Sequence, residues 1–318
     1  MKKALIQIHL AVVLWGFTGV LGRAIRLDYP VLVWYRMLLT ALFVAIIIFY
    51  RKEWIKIPRR DLGHLALIGA LMGLHWLAFY GSIQFANASI ALICLSTASI
   101  FTSLLDPFVN KGKHDLSELL MATLALAGVF LIYRFQQTFS IGIIYGIISA
   151  ILSSIFTMLN KRMASSYPAR TMVFYEMSTG FLFITLLLPF YIAAYPGTKL
   201  FPDQVNIFGL FTGEHSLTEP NDWIWLIVLA LCCTVWAQSL ALNALKHITS
   251  FTATLSVNLE PIYGMALAFI FFHENEQLNS GFFGGMALIC LSVVLQTMKV
   301  IRSRSTKGYI EEKGGIGD

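Results

Sequence analysis

An acid and a proline stand side by side, Glu260-Pro261, inside an apolar run that extends from about 249 to 272. A charged side chain at the centre of a bilayer costs at least ~2.5 kcal/mol, so Glu260 must face protein or water, and a carboxyl that can take up and release a proton there has the property a proton carrier needs. Pro261 cannot donate a backbone hydrogen bond, which frees the carbonyl of Val257 and bends the helix. Ala253, Ser256, Tyr263 and Gly264 share the face of the acid, small or polar apart from the tyrosine, as suits a cavity or a close helix contact. A fixed acid that caps the kink is the alternative the residues leave open.

A second set of polar residues lies in other apolar runs. Arg36 and Glu176 occupy corresponding places, in Tyr35-Arg36-Met37 and Tyr175-Glu176-Met177, and opposed helix directions set them on the order of 15 Å apart along the membrane normal, too far to touch. Arg36 can instead reach Glu260 or an anionic solute, or anchor an interface by snorkelling. His75-Trp76 matches Gln238 at a constant shift, and a histidine within a span either relays protons or is a core residue bonded to a neighbouring helix. Trp15, Tyr35, Tyr175, Trp236 and Tyr263 could line a cavity that stacks on aromatic or cationic groups, with Trp15 and Tyr263 deepest in their runs. Asp106-Pro107 reads as structural, with Pro107 a second kink.

The elements that must position these residues follow from composition. The 318 residues are 57% hydrophobic and 13% charged, with mean hydropathy +0.72, against roughly 25% charged in a soluble domain. Apolar runs long enough to cross about 30 Å of hydrocarbon number ten, at about 5–22, 31–50, 62–82, 88–109, 117–134, 141–160, 170–194, 223–243, 249–272 and 281–299. Met1-Lys2-Lys3 before the first run imitates a secretory signal, but no small-residue cleavage site closes it. Of the 23 basic residues, Arg23, Arg26, Arg134 and Lys199 fall on one side, Arg36 lies within a span, and the remaining 18 fall on the other side. That asymmetry predicts both termini inside, and assigns the net charge of +6 to topology rather than to nucleic-acid binding. Cys94, Cys232, Cys233 and Cys290 lie within runs and read as packing residues, with no disulfide or metal-ligand spacing.

The chain also repeats itself. Ser82 to Glu118 aligns with Ala244 to Ser280 at a shift of 162, and Phe17-Thr18 and Arg23 align with Phe156-Thr157 and Arg162 at a shift of 139. Five spans per repeat force the second to enter from the opposite face. The expected fold is an all-α membrane protein of ten helices in two inverted five-helix repeats: 1–139, 140–301 with an external insertion at 195–222, and a cytoplasmic tail at 302–318. Two such bundles can rock about a site between them and expose it alternately.

Ala244-Leu245-Lys246-His247-Ile248-Thr249-Ser250, then Leu259-Glu260-Pro261, then Phe271-Phe272-His273-Glu274 resemble the signature of the EamA-type, ten-helix members of the drug/metabolite transporter superfamily. The first half matches more weakly, through Ser82 to Ala88, with Ser99 at the family's proline position. The resemblance covers nearly the whole chain. It implies a secondary transporter of a small metabolite, amino acids or related compounds among the substrates and export among the directions, with a central cavity and with helices five and ten at the periphery. It fits the inner membrane of a bacterium and leaves proton coupling open and oligomeric state unknown. No cofactor or metal is expected. No phosphate loop, metal-spaced histidine pair or nucleophile elbow points to an enzyme. The competing classes are a membrane-embedded enzyme and a non-transporting receptor or scaffold.

Overall fold

The computed structural model describes residues 2–110, 116–202, 222–248, 250–257, 259–292, 294–295 and 298–299. Most of the expected external insertion and the whole tail at 302–318 lie outside the described residues. The side chains of Asp106 and Pro107 are likewise outside them, although their backbone is helical.

The described chain is helical: α1 (Lys2–Ala24), α2 (Tyr29–Arg51), α3 (Arg59–Phe85), α4 (Ala88–Leu95), α5 (Ala98–Asn110), α6 (Leu116–Phe135), α7 (Ser140–Met163), α8 (Ala169–Ala194), α9 (Asp222–Leu245), α10 (Ser250–Val257), α11 (Glu260–Phe272) and α12 (Ser280–Ser292). Among the described residues seven helices are long and apolar enough to cross a membrane, the α4–α5 pair counting as one, and Thr123–Phe135, Glu260–Phe272 and Ser280–Ser292 are shorter apolar helices.

Two spans expected as continuous helices are broken. α4 stops at Leu95 and α5 starts at Ala98; α10 stops at Val257 and α11 starts at Glu260, both boundaries shifted by the same 162 residues as the sequence repeat. Pro261 therefore ends one helix and begins another, and Glu260 opens α11 instead of sitting inside a bent helix. A proline in the first turn of a helix removes a donor that has no intrahelical acceptor anyway. In α4–α5 the hydroxyls of Ser96 and Thr97 donate back to the carbonyls of Ile93 and Cys94, each at 2.6 Å, and take acceptors from the helical ladder.

α3 packs against α7 and α8, α2 against α8, and α1 against α9 and α11. The α1–α11 contact is close because Gly16 and Gly264 face each other. A Cβ on Gly16 would lie 2.8 Å from Tyr263 Cβ, and one on Gly264 3.0 Å from the Gly16 carbonyl. α6 and α12 pack together at the side, with Ser292 donating to the Met121 carbonyl and Asn279 to that of Phe135, both at 2.6 Å.

The helices run between two ends of different character. One end gathers Arg51, Glu53, Asp61, Lys161, Tyr167, Arg170 and Lys246, joined by Arg170–Glu53 (2.5 Å), Tyr167 donating to Asp61 (2.5 Å), and Lys161 donating to the Leu245 carbonyl. The Asp61 carboxylate holds the Tyr167 phenol above its ordinary value. At the other end, Glu274 is fully buried. It pairs with Arg23 of α1 and accepts from Ala88 N (3.1 Å), Ser89 N (2.8 Å) and Ser89 Oγ (2.6 Å) at the start of α4. Arg23 also lies over the Phe272 ring at 4.8 Å. One carboxylate thus ties α1, α4 and the end of α11 together.

Candidate functional site

Arg36 is 1% exposed, the largest side chain so deeply enclosed. Its Nε donates to Thr234 Oγ1 (2.9 Å), Nη1 to the Tyr80 hydroxyl (2.8 Å) and Nη2 to the Cys233 carbonyl (3.4 Å), while the guanidinium carbon stands 3.8 Å from the Trp76 ring centroid. The two α9 acceptors belong to a π-helical segment, Leu231–Trp236. Thr234 Oγ1 donates to the Leu229 carbonyl five residues back (2.9 Å), and the widened turn brings the Thr234 hydroxyl and the Cys233 carbonyl to the arginine. Such π segments concentrate at functional sites.

Arg36 and Glu260 line one cavity of about 80 Å³. Trp15 and Thr18 of α1 also line it, as do His75 and Trp76 of α3 and Gln238 of α9. The Glu260 carboxylate makes no hydrogen bond or ion pair with any described residue, and it feels the Arg36 charge across the space. Arg36 does not reach it directly; three of its five N–H donors are engaged by α3 and α9. His75 Nδ1 lies 2.9 Å from both the Ser149 carbonyl oxygen, which only accepts, and the Ser149 hydroxyl, which donates or accepts, so Ser149 of α7 satisfies Nδ1 in either tautomer. Phe79 and Phe156 flank the ring, with centroids at 6.3 and 5.3 Å.

Six residues singled out from the sequence, Glu260, Arg36, His75, Trp76, Trp15 and Gln238, therefore meet at one place. Two do not. Tyr263 is 41% exposed on α11: at three residues from Glu260 it stands about 60° to one side of the acid, and Gly264, about 40° to the other, packs on Gly16 and Leu92. Glu176 is fully buried away from the cavity, beside the side chain of Asn160. Tyr80, Thr234 and the Cys233 carbonyl were not anticipated. The available signal was the spacing of Trp76 and Tyr80, and of Thr234 and Gln238, four apart on one helix face.

Tyr80 also lines a second space of about 280 Å³ at the Arg23 end, together with Arg23, Arg26, Asp28, Gln84 and Lys199. Its ring is 2% exposed and lies so close to Gly22 that a Cβ there would stand 2.2 Å from Cε1. Tyr80 is the side chain common to the outer space and to the hydrogen bonding of Arg36.

The sequence model of the EamA-like transporter family matches residues 2–134 and again 140–298. A protein of Archaeoglobus fulgidus named an uncharacterized transporter is 27% identical over 282 residues, 86% of this chain and 89% of the relative. Uncharacterized transporter YxxF of Bacillus subtilis is 23% identical over 302 residues, 90% and 89% of the two chains. A solved crystal structure of 14% identity shares the fold with a TM-score of 0.62, covering 93% of this chain and 97% of its own. With two successive copies of the family pattern filling the chain, this is a membrane protein of the EamA-like transporter family, within the drug/metabolite transporter superfamily.

Proposed function

We propose that the protein is a secondary transporter that carries a small carboxylate-bearing metabolite, of the amino-acid class, through the Arg36–Glu260 cavity by alternating access, with Glu260 as the proton site. The proposed frame is ten crossings with both termini inside and two inverted halves, 1–139 and 140–301, in a bacterial inner membrane.

One observation carries the reading. Four repeat-related pairs line the same cavity: Thr18 with Thr157, Trp76 with Gln238, Leu95 with Val257, and Ala98 with Glu260. A space lined by equivalent positions of two halves is where their relative motion opens a path. The charges within it are unequal, with a guanidinium on one side and, on the other, a carboxyl that has no hydrogen-bond or ion-pair partner among the described residues. A planar fork suits a carboxylate, and a carboxyl facing the cavity is available to a proton or to the ammonium of a zwitterion. At about 80 Å³ the cavity is smaller than the ~300–1,000 Å³ of drug-sized ligand sites, in keeping with a small solute held in a closed state. A carboxylate arriving from the Arg23 end meets Tyr80 first, and each Nη of Arg36 still carries one N–H beyond those given to Tyr80 and Cys233.

Purified protein screened against metabolites for thermal stabilisation identifies the solute, and proteoliposomes then compare the parent with Glu260→Gln. The amide keeps shape and hydrogen bonding but not titration, so the variant is expected to lose pH-driven transport by at least about tenfold, equivalent to ~1.4 kcal/mol, with an unchanged melting temperature. Full transport with the parental pH response would remove Glu260 from the mechanism.

A further inference from the structure

At the basic end a crevice of about 470 Å³ opens between the C-terminal part of α2, the start of α8 and the C-terminal part of α9, and shares no lining residue with the central cavity. Its mouth carries Arg51, Arg170 and Lys246 against one acid, Glu53, which is paired with Arg170 at 2.5 Å. Arg51 and Lys246 form no ion pair with any described residue. α8 begins at Ala169 in the same mouth, and its first amides lack intrahelical acceptors, which favours an anion. Farther along the helices the wall turns apolar through Ile47, Val235 and Leu240. Trp236 stands ten residues, ~15 Å of helix rise, from Lys246 and is 66% exposed on a membrane-length helix. Ser239 Oγ is buried in this wall without a hydrogen-bond partner.

A cationic mouth continuous with an apolar wall that faces the hydrocarbon has the chemistry of a phospholipid, phosphate outward and acyl chain inward. We propose that this crevice is a binding site for an anionic phospholipid, its phosphate held by Arg51 and Lys246 and its acyl chain laid along Trp236. A free anionic metabolite would satisfy the mouth and leave Trp236 and Leu240 uncovered. Trp236 closes the π segment whose Thr234 and Cys233 hold Arg36, so the bound lipid braces α9 directly behind the central cavity.

The test uses the purified full chain in neutral detergent, titrated with phosphatidylglycerol, phosphatidylcholine or glycerol phosphate, with melting temperature and lipid retention in native mass spectrometry as readouts. Phosphatidylglycerol is expected to raise the melting temperature and stay bound, and the other two to do neither. Arg51→Gln with Lys246→Gln is expected to weaken phosphatidylglycerol binding on the order of thirtyfold, from about fivefold per charge; if the double variant does not fold, each single variant tests the same loss. Lys56→Gln with Arg59→Gln, basic residues outside the crevice, should bind like the parent. Equal effects of phosphatidylcholine, a shift reproduced by glycerol phosphate alone, or an equal loss in the Lys56/Arg59 variant each overturn the proposal. No transported solute enters the assay, so its failure and the failure of the transport reading are separate results.

Discussion

The break between α4 and α5 and the break between α10 and α11 fall at matched positions, yet different chemistry makes them. In the second, Glu260-Pro261 supplies a residue without a backbone donor and a charge that faces the cavity. In the first, Ala98 and Ser99 occupy those places, and the helix is interrupted by the Ser96 and Thr97 hydroxyls on its own carbonyls, with Ser154 of α7 donating to the Ala98 carbonyl at 2.6 Å. The geometry of the repeat has been kept while its chemistry has diverged. One break remains neutral and held by its neighbour; the other presents the acid. Arg36, whose own repeat partner is the remote Glu176, supplies the opposite charge, so the cavity is symmetric in backbone and polar in side chains.

The comparison breaks hardest at Glu274, which comes from the end of α11 yet caps the start of α4 and so couples the two broken helices. Glu274→Ala leaves the Ala88 and Ser89 amides and the Ser89 hydroxyl buried without their acceptor, while Arg23, 29% exposed, keeps access to water. A buried donor left unsatisfied costs ~1–3 kcal/mol, so with three of them the purified protein is expected to melt well below the parent or to fail to accumulate. Parental melting would show that the two breaks are held independently.

Arg36→Lys comes next. Lysine keeps the charge but not the planar fork, so it cannot hold Thr234, Tyr80 and the Cys233 carbonyl together while lying over Trp76. Uptake in proteoliposomes is expected to fall roughly tenfold, the ~1.4 kcal/mol of about one charge-assisted hydrogen bond, with expression near that of the parent. If Arg36→Lys transports normally and only Arg36→Ala fails, the arginine is a charge anchor and the carboxylate substrate loses its support.

Much of this was legible in the chain because the repeat is a property of sequence: the shift of 162 paired the two spans that turn out to be broken, though both were expected to be continuous, and charge within apolar runs located Arg36, Glu260 and His75. Tyr263 was assigned to the acid's face by its i+3 spacing from Glu260, yet within α11 the close Gly16–Gly264 contact turns Tyr263 outward; the break resets only the count back to Ala253 and Ser256. The π segment was not read from the sequence either, because the run 223–243 is apolar on nearly every face, and it shows only in the backbone of Leu231–Trp236. Tyr80 looked like one more aromatic of an apolar helix. What distinguishes it is a neighbour 58 residues earlier, Gly22, whose missing side chain makes room for the ring.

The smallest effect sharpens the comparison most. Pro261→Ala restores a donor at the second break, and Ser96→Ala with Thr97→Val removes the competing hydroxyls at the first. Each change shifts a balance of hydrogen bonds worth about 1 kcal/mol, enough to alter local opening without unfolding the protein. Amide exchange at Ala98 and Ser99 is expected to slow in the hydroxyl variant by roughly fivefold as the ladder closes, with transport reduced only a few fold because no charge has been touched. Pro261→Ala is expected to reduce transport more, because continuing the helix through Glu260 rotates the carboxyl relative to the cavity. If exchange at Ala98 stays parental in the hydroxyl variant, Ser154 and packing against α7 hold the first break open, and the two breaks differ in what enforces them as well as in what they present.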